Sequence, residues 1–152
     1  MPELTFRKAK ASDIPAIVAL LADDVLGAGR EKPEEALSAG YAAAFAAIDG
    51  DERQYLAVVE DHGVIIGTLQ LTFIPCLSRG GRWRGLVEAV RVASDRRSQG
   101  VGEAMMAWAI DQCRARGCGL VQLTTDKSRL AAHRFYDRLG FTPSHLGYKL
   151  EL

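Results

Sequence analysis

Apolar residues recur at helical spacing in four parts of the chain. The first follows the capping residues Ser12 and Asp13, and the second begins at Pro33, a favourable first-turn residue, and runs to residue 48. The third ends at Gly117 and the fourth covers residues 129–140. The apolar stripe of the third helix is Gly102, Met106, Ala109, Ile110 and Cys113. These patterns predict four helices, and they place Cys113 in the core as a structural residue.

Six shorter segments have the β-branched and aromatic residues of strands. They cover residues 4–8, 54–61, 64–74, 84–94, 120–126 and 146–152. Asp61, His62 and Gly63 form a short turn between the second and third, which predicts a hairpin. The order βααβββαβαβ predicts a mixed α/β fold, and 152 residues without repeats or linkers predict a single domain over 1–152.

A glutamate interrupts one apolar face of the strand at 84–94. Regular alternation puts Leu86, Glu88, Val90 and Val92 on that face. Glu88 either reaches water at the open end of the strand or takes part in chemistry, and the sequence leaves both interpretations open.

Composition narrows the classes of partner. The chain is 48% hydrophobic, and its 19 Lys and Arg residues balance 19 Asp and Glu residues, so it lacks the positive charge typical of nucleic-acid binding. No run of 18 apolar residues and no export signal occurs, and three cysteines are an odd number, which together favour a reduced cytoplasmic location without membrane insertion. His62, His133 and His145 have no metal-ligand spacing, and we predict no metal.

A glycine-rich turn precedes the third predicted helix, in the stretch RRSQGVGE at 96–103. Gly100 and Gly102 leave unpaired N–H groups at the positive end of a helix, where an anion can bind, and Arg97 adds charge. Glu103 excludes a Walker loop and Met105 excludes a dinucleotide fingerprint. Taken alone, the turn is a weak signal and is explained better by packing than by anion binding.

Two motifs together resemble the GNAT superfamily of acetyl-CoA-dependent N-acetyltransferases. Arg97, Gly100 and Gly102 match its central pattern, Arg/Gln-x-x-Gly-x-Gly/Ala, at the start of a long helix. The second pattern, Ala-x-x-x-Tyr-x-x-x-Gly-Phe, is matched by Ala132, Tyr136, Gly140 and Phe141. The resemblance covers about residues 86–142.

The resemblance implies a single-domain fold and a binding mode for acetyl-CoA. The fold is a mixed sheet of about six or seven strands flanked by about four helices, splayed between the fourth and fifth strands to admit the pantetheine arm. By position, the main chain of Val90, Arg91 and Val92 pairs with that arm, and the N–H of Val92 faces the thioester oxygen. The main-chain amides of the turn hold the diphosphate; they belong to Arg97, Ser98, Gln99, Gly100, Val101 and Gly102.

The resemblance also assigns candidate catalytic residues. A protonated alkyl amine, with a reference pKa of about 10, must lose a proton before it can attack a thioester. Glu88 is the candidate base and Tyr136 the candidate acid that protonates the departing sulfur, although a core role for Tyr136 and a reaction without a dedicated base stay open. Arg129 stands where many relatives have Asn and either reaches CoA phosphate or faces solvent, and His133 lies where it can approach the cofactor.

The acceptor is expected between the first two helices and later loops. That region offers an acidic group, which either attracts a cationic amine or is solvated surface, and a loop with Arg79, Arg82 and Trp83. A small primary amine is the hypothesis for the acceptor. A protein lysine or amino terminus is an alternative acceptor, and a non-catalytic acyl-CoA-binding module is an alternative function. The sequence leaves open whether the chain acts alone or as a homodimer. The acidic group is Asp23, Asp24, Glu31, Glu34 and Glu35.

Overall fold

One sheet of five strands organises the chain in the computed structural model, which describes residues 3–152. Neighbours in the sheet follow the chain in the order β1-β2-β3-β4-β5, and the first four strands are antiparallel to one another. The hairpin between β2 and β3 turns at His62 and Gly63, as predicted. The strands are β1 (Leu4–Lys8), β2 (Gln54–Asp61), β3 (Val64–Ile74), β4 (Arg84–Val92) and β5 (Leu120–Leu123).

Six helices lie between and after these strands in the described residues. Two of them, α2 and α4, are single turns of four residues, and short 3-10 turns precede α1, α3 and α5. The Asp24 side chain accepts from the N–H of Gly27 and so caps α2. The helices are α1 (Ile14–Ala22), α2 (Val25–Ala28), α3 (Ala39–Asp49), α4 (Ser78–Gly81), α5 (Val101–Ala115) and α6 (Leu130–Arg138).

Three predictions about elements are corrected. Five strands and six helices replace the expected six or seven strands and four helices over residues 3–152. The expected last strand at 146–152 does not form, because alternating side chains make a strand only where its main chain pairs with a neighbour. The helix expected from Pro33 to residue 48 is broken: a 3-10 turn ends at Glu35, and Ser38 adopts an extended conformation before α3 begins.

Helix α5 packs against one face of the sheet at two glycines. A Cβ at Gly85 would lie 2.2 Å from Cys113 Sγ, and one at Gly67 would lie 2.9 Å from Met105 Sδ. Trp108 stacks on Phe6 of β1 at 5.2 Å between ring centroids. Cys113 is fully buried as predicted, and burial raises the pKa of its thiol to about 11. The absence of a side chain at Gly67 of β3 and at Gly85 of β4 thus lets α5 approach the sheet closely.

The opposite face of the sheet is covered over β1 and β2 by α1 and α3. Val58 is fully buried there against Ile17, with Phe45 and Leu56 around it. Farther along the same face, β3 presents the polar side chains of Gln70 and Thr72, and β4 presents Glu88. Because α1 and α3 cover only part of this face, it is here that side chains of the sheet can meet a ligand.

The chain divides into two compact units, Met1–Gln122 and Leu123–Leu152. The first contains the helices from α1 to α5 and nearly all of the sheet, and the second contains α6. A single domain over 1–152 stays a prediction.

Candidate functional site

Strand β4 contains a β-bulge directly after Glu88. Glu88 lies opposite Gln70 and Arg91 lies opposite Thr68, so two residues of β4 face one residue of β3. The extra pair is Ala89 and Val90, and Ala89 has a φ of 55°, a left-handed conformation that is unusual for alanine. A bulge leaves main-chain groups outside the ladder, and bulges are common beside active sites.

The bulge corrects the predicted face of β4. Leu86, Glu88, Val90 and Val92 do not share one face, since the extra residue reverses the alternation after Glu88. The register instead puts Leu86, Glu88 and Arg91 on the partly covered face, while Val92 lies opposite Gly67 on the α5 face.

Glu88 is exposed and belongs to a row of polar side chains on that face. Gln70, directly opposite, donates from Nε2 to Gln54 Oε1 at 2.9 Å, and the Thr72 hydroxyl donates to the same oxygen at 3.0 Å. We call Gln54, Gln70 and Thr72 the polar row. Its signal is present in the sequence, because Thr68, Gln70 and Thr72 alternate with apolar residues in β3.

Arg91 is fixed by an ion pair with the predicted acidic group. Its Nε lies 3.1 Å from Asp24 Oδ2, and both side chains are about 15% exposed. Asp23 Oδ2 accepts from the N–H of Ser94, and Glu31 accepts from the hydroxyl of Tyr41. These three carboxylates therefore have structural partners, which leaves less acidic charge to attract an amine.

The main chain after β4 forms an open turn at the start of α5. Ser98 and Gly100 have φ values of 62° and 82°, and Gly100 is the N-cap of α5 without a side-chain cap. A Cβ at Gly100 would meet nothing within 4 Å, so glycine is required there by φ, and the space above the helix start is open. Val101 is buried and anchors the helix, while its first-turn N–H groups have no partners within the helix. An anion fits this turn.

Two arginines hold the turn in place. Arg97 donates from Nη2 to the carbonyl of Asp23 at 2.9 Å and from Nε to the carbonyl of Val92 at 3.3 Å. Among the described residues no carboxylate pairs with Arg97, so its positive charge is not neutralised by an acid. Arg96 pairs with Asp61 and, together with His62, holds the pKa of that carboxyl below its usual range. Gln99 Nε2 adds a bond to the carbonyl of Asp95 at 3.2 Å.

The second unit contains the remaining predicted residues. Arg129 precedes α6, and His133 and Tyr136 follow at four and seven residues, which puts the three on one side of the helix. His133 Nε2 donates to the carbonyl of Asp126 at 2.8 Å. Tyr136 is half-buried, with its ring 5.1 Å from that of Phe135 and 5.8 Å from that of Phe141.

In residues 3–152 no three His, Cys, Asp or Glu side chains converge as a metal site requires. No helix in that range is both long enough and apolar enough to cross a bilayer.

Residues 16–141 match the Acetyltransferase (GNAT) family, which makes this chain an acyltransferase. The protein belongs to the GNAT family, and its activity is that of an N-acetyltransferase acting on an amine. The matched range contains Glu88, the turn at 97–102 and Tyr136. The resemblance inferred from the two motifs is therefore confirmed.

Curated relatives are N-acetyltransferases. The chain is 29% identical over 148 residues to aminoalkylphosphonate N-acetyltransferase of Salmonella typhimurium, covering 97% of this chain and 91% of that one. It is 33% identical over 90 residues to glucosamine 6-phosphate N-acetyltransferase of Trypanosoma brucei brucei, covering 59% of each.

Solved structures share the fold. A protein of Bacillus halodurans C-125 described as a transcriptional regulator is 45% identical with a TM-score of 0.95, covering 99% of this chain and 100% of that one. A putative acetyltransferase of Agrobacterium tumefaciens is 27% identical with a TM-score of 0.84, covering 97% and 99%.

Proposed function

We propose that this protein transfers the acetyl group of acetyl-CoA to the primary amine of a small molecule. The observation that carries the proposal is the continuity of β4 with the turn: a bulged strand leads within ten residues to an open helix start. Acetyl-CoA brings an activated thioester and a diphosphate. The main-chain amides from Arg97 to Gly102 suit the diphosphate, because a helix start favours anions and Gly100 leaves the approach open.

The main chain of β4 would receive the rest of the donor. The N–H of Ala93 donates to the carbonyl of Ile66 on β3 at 2.8 Å. Successive N–H groups of a strand point in opposite directions, so the N–H of Val92 points away from β3. This supports a role for Val92 as the donor to the thioester oxygen, and for Val90 and Arg91 as its neighbours along the pantetheine arm. The proposed splay between β4 and β5 would admit that arm. At their amino-terminal ends the two strands are joined, because the N–H of Gly119 donates to the carbonyl of Trp83 at 2.9 Å.

Glu88 is the proposed base and Tyr136 the proposed acid. The exposure of Glu88 next to the bulge supports its role, since a base must meet both the amine and water that carries the proton away. Tyr136 would return a proton to the CoA sulfur, and Arg129 and His133, on the same side of α6, would assist in binding the donor.

The names of two relatives favour a particular small acceptor. Aminoalkylphosphonate and glucosamine 6-phosphate each combine an amine with a phosphorus oxyanion. We propose an acceptor with the same two groups in preference to a protein lysine or amino terminus. A function in transcription, as in the description of the Bacillus halodurans protein, is less well supported, because 19 basic and 19 acidic residues leave no net charge to bind nucleic acid.

The test is calorimetric titration of the purified protein with acetyl-CoA, with desulfo-CoA and ATP as comparisons. We expect saturable binding that requires the CoA scaffold, followed by CoA release with a panel of amines. Binding without release across the panel would support the non-catalytic module instead. Absence of acetyl-CoA binding would overturn the proposed function, and strong preference for peptides over free amines would overturn the small-molecule acceptor.

A further inference from the structure

We infer that Arg84 binds an anionic group on the acceptor and so determines which amines this enzyme acetylates. The inference rests on the proposed function, since it concerns the acceptor side of the same site. It is carried by the position of Arg84 relative to Glu88, by its missing counter-ion, and by the polar row between them.

Arg84 and Glu88 lie on the same face of β4. The register places Arg84 opposite Ile74, Leu86 opposite Thr72 and Glu88 opposite Gln70, without irregularity over that length. Four residues of strand separate the two Cα atoms by about 13 Å, and both side chains are long enough to shorten that span. One small molecule can therefore present its amine to Glu88 and a second group to Arg84.

The Arg84 guanidinium is held in place without a carboxylate. It is half-buried, and its Nη1 lies 3.2 Å from Cys76 Sγ, a weak acceptor. Its Nε is buried and has no hydrogen-bond partner. Within residues 3–152 no acidic side chain lies within 4 Å of it. A guanidinium removed from water without a counter-ion is costly, and an anion that accepts two of its N–H groups would offset that cost.

Among the other partly buried arginines of this unit, Arg7, Arg91 and Arg96 pair with carboxylates, whereas Arg82, outside the strands, donates to the carbonyl of Gly119 and has no acidic partner among the described residues. Arg7 pairs with Asp13 and Glu60, each at 2.7 Å, and Arg91 pairs with Asp24. Arg7 and Arg91 lie on the same face of the sheet as Arg84, because both belong to the row of Val58 and Thr68. Arg84 thus differs from Arg7 and Arg91 on that face because no carboxylate in the described part of the chain pairs with it. This difference fits an anionic group supplied by the substrate.

The polar row forms the surface of the sheet beside Arg84 and Glu88, and we call this surface the floor of the acceptor site. Gln54, Gln70 and Thr72 are bonded to one another, which fixes their side chains at the level of Leu86 and Glu88. A polar molecule can lie over this floor without leaving hydrogen-bonding groups unpaired. A purely apolar amine gains nothing from it, so the row favours acceptors with polar atoms along their length.

The experiment compares three amines with wild-type enzyme, Arg84→Met and Arg84→Lys. The amines are 2-aminoethylphosphonate, β-alanine and propylamine, which bear a phosphonate, a carboxylate and no anion. We expect Arg84→Met to raise KM for the preferred anionic amine about 10-fold to 100-fold, with kcat nearly kept, since hydrogen bonds to charged groups are among the stronger ones. Propylamine should change less than about twofold, and Arg84→Lys should recover part of the loss.

Arg114→Met is the matched control, because it removes the same charge from an exposed side chain of α5. Acetyl-CoA affinity of each variant reports on folding. Equal losses for propylamine and the anionic amines would overturn the inference, as would a wild-type enzyme with no preference for either anion. The phosphonate and carboxylate arms identify which anion Arg84 binds.

A binding measurement separates this inference from the proposed function. If no amine releases CoA, the proposed function fails, and calorimetric titration with 2-aminoethylphosphonate and with β-alanine still decides about Arg84. Binding to wild type that weakens at least 10-fold in Arg84→Met supports the inference. Equal binding to both proteins, or no binding to either, contradicts it.

Discussion

Some charged side chains near β4 make structural contacts, and others are exposed to solvent. Asp24 accepts from Gly27 and pairs with Arg91, so a residue that the sequence offered as acceptor-binding is occupied in structure. Glu88, three residues before Arg91, has no such partner among the described residues and is exposed. Chemistry is therefore expected from Glu88 and not from the acidic group near α2.

Replacement of Glu88 tests its role as a base. Glu88→Gln keeps the size of the side chain but cannot accept a proton at neutral pH, and we expect kcat to fall about 100-fold or more. Acetyl-CoA affinity should be kept. Glu52→Gln, an exposed glutamate of the loop before β2, is the control. A variant as active as wild type would show that the amine binds neutral or uses water.

Replacement of Tyr136 tests its role as an acid. Tyr136→Phe retains the ring that packs on Phe135 and Phe141 and removes only the hydroxyl. We expect kcat to fall about 100-fold with little change in acetyl-CoA affinity, because protonation of the leaving thiolate is lost. Steady-state kinetics and calorimetry measure the two quantities. Unchanged kcat would leave Tyr136 as a packing residue.

At the level of elements, local sequence patterns predicted most strands and helices, but they did not predict the register between β4 and β3. Apolar periodicity located β1 and α5 because each buries one regular face. The bulge at Ala89 and Val90 could not be predicted, since alanine gives no sign of a left-handed φ and the register depends on β3, distant in sequence. The turn before α5 could be predicted from its glycines, because Gly100 has a conformation that favours glycine.

Gly100→Val tests the helix start as the diphosphate site. Valine at a φ of 82° is strained and places a branched side chain in the open space above α5. We expect acetyl-CoA affinity to fall at least 10-fold in calorimetry. Gly63→Val is a matched control, because Gly63 has a φ of 78° and equally open surroundings, but it lies in the hairpin. Equal affinities in the two variants would contradict diphosphate binding at this turn.

For the whole molecule, one charged cluster ties the amino-terminal strand to the sheet and to the start of α1. Arg7 donates to both oxygens of Asp13, at 2.7 and 3.0 Å, and to Glu60. Asp13 also accepts from the N–H of Lys10 at 2.7 Å. The Arg7 side chain is the largest cause of a pKa of Asp13 below its usual range, with burial opposing it.

The Asp13 cluster predicts a loss of stability in acid. A carboxyl whose pKa is lower in the folded state stabilises the fold above its unfolded pKa of about 3.9, and this is lost as pH falls through the folded value. Asp13→Asn should lower the free energy of unfolding by about 1–2 kcal/mol at pH 7 and by progressively less below pH 4. Urea unfolding across this range measures it. Asp111→Asn, in an exposed pair with Arg114, should change little, and a pH-independent difference for Asp13 would refute the assignment.

The bulge makes β4 one residue longer than β3 requires. Removal of Ala89 alone would leave Glu88 opposite Gln70 and Arg91 opposite Thr68, with every other pair of the sheet unchanged. A deletion of this kind closes the ladder and withdraws the main-chain groups that the bulge keeps outside it. In an alignment of related chains, this deletion would show as a gap of a single residue. If the proposed function is correct, that gap would identify relatives that retain the fold but have lost catalysis.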